Sequence, residues 1–202
     1  ITDKPFRKIL RKYAPNASLV TVMISCHSLV GGHKNCLRNF DRYDDDGNIG
    51  AQLFGSNPEL MGRGAAMLEA HGAKWIDINM GCPVPKVATK AGAGAYLMRD
   101  HELAGRIIKS VVGSVKIPVS VKTRLGWDDS HRDWLNLICI AGENGAAWAT
   151  LHGRTRAAGY TGHADLPNVP DGLIPVIGNG DIKNAEDIQR MQALGYNGAM
   201  IG

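Results

Sequence analysis

The chain has 202 residues, 44% of them apolar, with 23 Lys and Arg against 19 Asp and Glu; that length supports one substantial core rather than an array of domains. No apolar run approaches the ~18 residues that a membrane-spanning helix needs, and no basic-then-apolar leader opens the chain. The four cysteines, Cys26, Cys36, Cys82 and Cys139, lack the paired spacing of a metal site and read as the reduced thiols of a cytoplasmic enzyme.

In chain order, Asp3 is placed to cap a helix with Pro5 in its first turn. Phe6, Ile9, Leu10 and Tyr13 form an apolar stripe in that helix, with Lys4, Arg7, Lys8, Arg11 and Lys12 elsewhere around it. Residues 1–40 hold seven Lys and Arg against the single Asp3. Two readings stay open for this basic stretch: a surface for phosphate-rich partners or a solvated helix face. Leu19 to Ser25 reads as a strand, followed by a polar loop with Gly31, Gly32 and the acidic turn Asp44-Asp45-Asp46-Gly47. Ile49 to Phe54 is the next strand, and Asn57 with Pro58 opens a helix to about His71.

An alternating apolar run (Trp75, Ile76, Ile78, Met80) predicts a buried strand that ends in Gly81-Cys82-Pro83. A glycine-rich loop, Ala91 to Ala95, leads to a helix from about Asp100 to Val112. Pro118 to Thr123 predicts a strand and Ser130 to Asn144 a helix. Strands at Ala147–His152, Pro175–Gly178 and Gly198–Ile201 follow, with a helix from about Asn184 to Leu194 between the last two. The Gly162–Ile174 connection is too short and too rich in proline for a helix. Strands alternating with helices imply parallel pairing with the helices outside, and the repeated β-turn-α unit is the signature of a TIM (β/α)8-type barrel.

The stretch Asp77-Ile78-Asn79-Met80-Gly81-Cys82-Pro83 carries the most chemistry. It delivers a thiol at the carboxyl end of a strand, where ligands bind in α/β proteins. Gln52 and Lys122 each interrupt an apolar strand, which argues for inward-facing side chains, and His152 ends another strand. Gly178-Asn179-Gly180-Asp181 and Ile201-Gly202 follow the last two strands, where backbone amides commonly hold a phosphate in these barrels.

Several segments together resemble the tRNA-dihydrouridine synthases, flavoenzymes that reduce uridine to dihydrouridine in tRNA. They are Ile1-Thr2-Asp3-Lys4-Pro5-Phe6-Arg7, Gly50-Ala51-Gln52-Leu53-Phe54-Gly55, the Gly-Cys-Pro stretch, Val121-Lys122-Thr123-Arg124-Leu125-Gly126-Trp127, Leu151-His152-Gly153-Arg154-Thr155-Arg156, Ile177-Gly178-Asn179-Gly180-Asp181-Ile182 and Ala199-Met200-Ile201-Gly202. Each is weak alone; their shared order makes them specific.

The resemblance implies a single FMN-binding TIM-barrel catalytic domain over residues 1–202, truncated at both ends. Seven strands are read where a barrel has eight, so the first strand and a C-terminal helical domain are expected outside the chain. It also implies FMN as cofactor, NADPH as reductant, tRNA as substrate, and neither metal nor membrane. Cys82 matches the proton donor. Gln52, Lys122, His152, Asn179, Gly180, Asp181 and Gly202 match the flavin side, with Lys122 as a cation at its electron-rich edge. Asn79, Arg124, Arg154 and Arg156 are the candidates for holding the uridine or nearby phosphates. Val22 departs from the acidic residue that many relatives carry there. The alternatives are an FMN barrel acting on a free pyrimidine, of the dihydroorotate or dihydropyrimidine dehydrogenase kind, and a flavin-free RNA-binding remnant.

Overall fold

The computed structural model describes residues 3–33, 35–40 and 47–202; Ile1, Thr2 and Asp44 to Asp46 lie outside them. Helix α1 (Lys4–Tyr13) opens as expected, with the Asp3 carboxylate accepting from the Phe6 N–H at 2.9 Å. Its orientation reverses the expectation. Phe6, Ile9 and Tyr13 face outward, and Arg7 is fully buried. The Arg11 guanidinium reaches back to the carbonyls of Pro15, Ala17 and Asn48, at 3.0, 2.5 and 3.1 Å. A fork of donors matched to several carbonyls turns the cationic side of the helix inward.

The expected strand Leu19–Ser25 is present as two segments, β1 (Leu19–Val20) and β2 (Ile24–Ser25), both parallel to β3 (Ile49–Phe54). Leu19 pairs with Ile49 but Ile24 pairs with Leu53, so one residue is looped out between them. This is a bulge, which apolar periodicity does not reveal. Ser25 then caps a short helix, α2 (Cys26–Val30), in a stretch that sequence reading leaves as loop.

From there the order is α3 (Pro58–Ala70), β4 (Ile76–Asn79), α4 (Pro85–Ala88), a 3-10 turn (Gly94–Arg99), α5 (His101–Ser114), β5 (Val119–Arg124), α6 (Trp134–Glu143), β6 (Trp148–His152), β7 (Val176–Asn179), α7 (Ala185–Ala193) and β8 (Gly198–Met200). Helix α6 starts four residues later than expected, because Asp128 and His131 form a tight bridge that holds the chain ahead of it. No helix forms between Gly162 and Ile174, as the prolines dictate.

All strands are parallel and consecutive, in the order β1/β2–β3–β4–β5–β6–β7–β8. The architecture is the α/β TIM-barrel type, and among the described residues β1/β2 and β8 do not pair with each other. The apolar core lies between sheet and helices: Ile49, Leu53, Ile76, Ile78, Val119 and Val121 pack with Met61, Leu68, Ile107 and Ile108. Position 50 has room only for glycine, since a β-carbon there would lie 2.1 Å from the Trp75 ring. All four cysteines are free thiols. Among the described residues no helix is long and apolar enough to cross a membrane, and no group of three or more His, Cys, Asp or Glu is placed to hold a metal.

Candidate active site

Alternation along the strands sends one set of side chains outward into the helix-facing core and the other inward. The inward set is polar: Gln52 on β3, Asp77 and Asn79 on β4, Ser120, Lys122 and Arg124 on β5, Thr150 and His152 on β6, and Asn179 on β7. Parallel register aligns them in rows, with Gln52 beside Asp77, Asn79 beside Lys122, and Arg124 beside His152 and Asn179.

The lower row is a closed network. Gln52 Nε2 donates to Asp77 Oδ2 at 2.7 Å, and Ser120 Oγ donates to Asp77 Oδ1 at 2.6 Å. Asn79 Nδ2 donates to Gln52 Oε1 at 2.9 Å, and its Oδ1 accepts from the backbone N–H groups of Gly81 and Cys82 at 3.2 and 2.9 Å. Asn79 therefore holds the turn from which the half-buried Cys82 projects. Asp77 is deeply buried, and that burial raises its carboxyl pKa against the opposing hydrogen bonds from Ser120 and Gln52 and the pull of Lys122. It sits in the motif that sequence reading singles out, yet it had no role there. A carboxylate inside an apolar strand was the available signal.

Lys122 Nζ donates to Asn179 Oδ1 at 2.9 Å, and Asn179 Nδ2 donates to the Met200 carbonyl at 2.8 Å, which ties β5, β7 and β8 together across the interior. Burial brings the Lys122 pKa down to about 8 against the attraction of Asp77. Thr150, in register with Lys122, has a buried hydroxyl without a hydrogen-bond partner among the described residues. His152 is held neutral: burial and the neighbouring Arg124, Lys122 and Arg154 cations push its pKa down to about 3.

The arginines build the rim. Arg124 donates to the carbonyls of Gly81 (2.8 Å), Thr155 (3.1 Å) and Gly159 (2.7 Å) and lies over the exposed Tyr160 ring at 5.5 Å. Arg154 holds both Asp181 oxygens at 2.8 and 2.9 Å and the carbonyls of Thr161 and Gly162 at 3.1 and 2.9 Å. Asp181 also accepts from the Ala164 N–H; that bond and Arg154 hold its pKa below the usual carboxylate range. Both guanidiniums are thus committed to shaping the 155–164 loop. Arg156 differs: its Nε is buried without a hydrogen-bond partner among the described residues, and its guanidinium lies 4.4 Å from the Trp127 ring centre, which Arg99 also approaches at 4.9 Å. Gly180 has φ +117, and a β-carbon there would meet Ala164 at 2.7 Å and His152 at 2.9 Å. Gly202 stands exposed just beyond β8.

Cys82, Asn79, Gln52, Lys122, His152, Asn179, Gly180 and the three arginines accordingly converge on the carboxyl ends of β3 to β7. Such a set offers a thiol, a buried cation, a neutral imidazole and several amides to a planar polar ligand.

The dihydrouridine synthase family model matches residues 1–202. The chain is 43% identical to the probable tRNA-dihydrouridine synthase 1 of Synechocystis sp., over 99% of this chain and 57% of that protein. It is 38% identical to the probable tRNA-dihydrouridine synthase of Rickettsia prowazekii (100% and 63%) and 38% identical to tRNA-dihydrouridine synthase B of Xanthomonas axonopodis pv. citri (100% and 62%). It thus spans less than two thirds of the length of these relatives. Among solved structures, oxaloacetate acetylhydrolase shares the fold with a TM-score of 0.50 at 13% identity, over 95% of this chain and 64% of that one.

Proposed function

The chain belongs to the dihydrouridine synthase family, and we propose that it is the catalytic barrel of an enzyme that reduces uridine to 5,6-dihydrouridine in tRNA. The observation that carries this reading is the placement of the Cys82 thiol, on a turn pinned by Asn79, at the mouth of an interior lined by Gln52, Lys122, His152 and Asn179. Saturating the uracil 5,6 double bond takes a hydride at one carbon and a proton at the other. FMN, when bound and with NADPH as reductant, supplies the hydride.

The residues fit that cofactor. Lys122 offers a cation from the interior and Gln52 an amide. The unpartnered Thr150 hydroxyl beside Lys122 is the orphaned polar atom that a ligand edge would satisfy. Asn179, Gly180 and Gly202 lie at the strand ends that receive a phosphate in these barrels. Asp181, anionic and tied to Arg154, braces this corner and does not touch the phosphate, which it would repel.

Cys82 gives its S–H proton to the ring carbon opposite the hydride, leaving a thiolate within the electrostatic reach of Arg124. The neutral His152 hydrogen-bonds the ligand edge without adding charge. A uridine stacked in RNA cannot enter a barrel mouth, so the base is extruded before reaction. Asn79 and Arg124 shape its seat, Arg154 holds the loop beside it, and Arg156, stacked on Trp127, takes the flanking RNA.

The test is direct. The full-length protein should purify with bound flavin, release FMN on denaturation and form dihydrouridine in unmodified tRNA with NADPH. A colourless protein that FMN cannot reconstitute, or one that turns over free dihydropyrimidines but not tRNA, would refute the reading.

A further inference from the structure

The orientation of the interior network is fixed from its Cys82 end. The backbone N–H groups of Gly81 and Cys82 can only donate, so the Asn79 atom facing both is its oxygen. Asn79 Nδ2 must then face Gln52, 2.9 Å from an atom that has to be Oε1. Gln52 Nε2 is left to donate, and at 2.7 Å it meets Asp77 Oδ2. The sequence of donors ends there because a carboxylate accepts without having to donate. Its second oxygen is filled by Ser120 at 2.6 Å.

We infer that Asp77 is a positioning residue, a buried acceptor that terminates the one-way order Asp77–Gln52–Asn79 and so holds in place the two amides that pin the turn presenting Cys82. An apolar residue at 77 would leave Gln52 Nε2 buried without a partner, a penalty that favours rotation of the amide. Rotation would aim the Gln52 donor at the Asn79 donor, and a matching flip of Asn79 would set its NH2 against two N–H groups. Asp77 thus acts on Cys82 through two amides, without touching the reacting atoms. Its functional consequence rests on the reading that Cys82 reacts at the uracil ring; the positioning itself does not.

The test moves the charge by one strand. In the full-length protein, Gln52→Glu sets two carboxyl groups face to face. With both ionised, at alkaline pH, no donor lies between them, whereas a shared proton lets the acid O–H take the place of the Gln52 amide donor. Adding Asp77→Asn restores every pairing. The new amide on β4 donates to one oxygen of the new carboxylate on β3, whose other oxygen accepts from Asn79, and the oxygen of that amide accepts from Ser120. Hydrogen exchange of the Asn79–Cys82 peptide and the rate of Cys82 alkylation, both mapped by mass spectrometry, read the turn without relying on activity. At alkaline pH Gln52→Glu should speed exchange at Gly81 and Cys82 about 10- to 100-fold relative to wild type at the same pH, the worth of one hydrogen bond to a charged partner. Either adding Asp77→Asn or lowering the pH until the pair shares a proton should return it to within a few-fold of wild type.

Failure of Gln52→Glu to fold, with a folded and protected double variant, also supports the inference. Wild-type exchange in Gln52→Glu at alkaline pH, or a double variant that is unfolded or as loose as the single one there, would overturn it. Dihydrouridine formation is assayed alongside. Rescue of the turn in a protein whose wild type makes no dihydrouridine would refute the functional reading and leave the positioning intact.

Discussion

Replacing Lys122 with Met should make the flavin-free protein more stable while removing its capacity to retain flavin. Lys122 is charged at neutral pH although burial brings its pKa from the ordinary 10.5 down to about 8. Each factor of ten in proton affinity is worth about 1.4 kcal/mol, so the folded state bears about 3 kcal/mol against the charged ammonium. Met fills similar space without that burden. It gives up the hydrogen bond to Asn179, worth about 1.5 kcal/mol or more for a charged donor, and withdraws the cation that faces Asp77. A net gain of about 1 kcal/mol is expected in urea unfolding at pH 7.

The pH dependence identifies the cause. Below about pH 8 the lysine is protonated in both states and the burden is constant. Between about 8 and 10.5 the unfolded chain holds the proton and the folded one does not, so wild-type stability rises with pH. The advantage of Lys122→Met should therefore shrink across that window and turn into a deficit of about 2 kcal/mol above it. A variant less stable than wild type at pH 7, or an advantage that does not change between pH 8 and 10.5, would refute the reasoning.

His152 should stay neutral down to about pH 3, so its ring resonances should not titrate between pH 5 and 9; because its folded pKa is lowered, it costs stability as pH falls through 6.5 toward 3, and His152→Gln should flatten acid unfolding there. Gly180→Ala forces a positive φ and a contact with His152 and Ala164, and should lower stability by about 1–3 kcal/mol and weaken flavin retention. Asp181→Ala removes the anion beside the Arg154 guanidinium, which keeps its carbonyl partners, with a loss of about 1 kcal/mol and faster proteolysis between Arg156 and Ala164 as the readout.

The element ends were legible because each carries a local signal: alternation up to Met80, then Gly-Cys-Pro; Lys122 directly after the apolar Val119 and Val121; Asn57-Pro58 opening α3. The bulge between Val20 and Ile24 was not, since a looped-out residue leaves composition unchanged and shows only in pairing register. Helix α2 is too short for a periodic pattern, and the 3-10 turn Gly94–Arg99 has a period that apolar spacing does not mark. The direction of α1 was hidden because Arg7 and Arg11 are held by contacts with the rest of the fold. In the site, residue identity pointed to Cys82, Gln52 and Lys122. Only geometry reveals that Arg124 and Arg154 hold loop carbonyls, and that Asp77 anchors the network.

The measurement that tests the central claim most directly is single-turnover reoxidation of reduced flavin by unmodified tRNA in full-length Cys82→Ala. Flavin binding and its reduction by NADPH should stay near wild type, while reoxidation by tRNA should fall about 10²–10⁴-fold, the usual worth of a positioned general acid. Alanine at Cys26, Cys36 or Cys139 should leave that step unchanged. Reoxidation of the Cys82 variant at the wild-type rate would contradict the account.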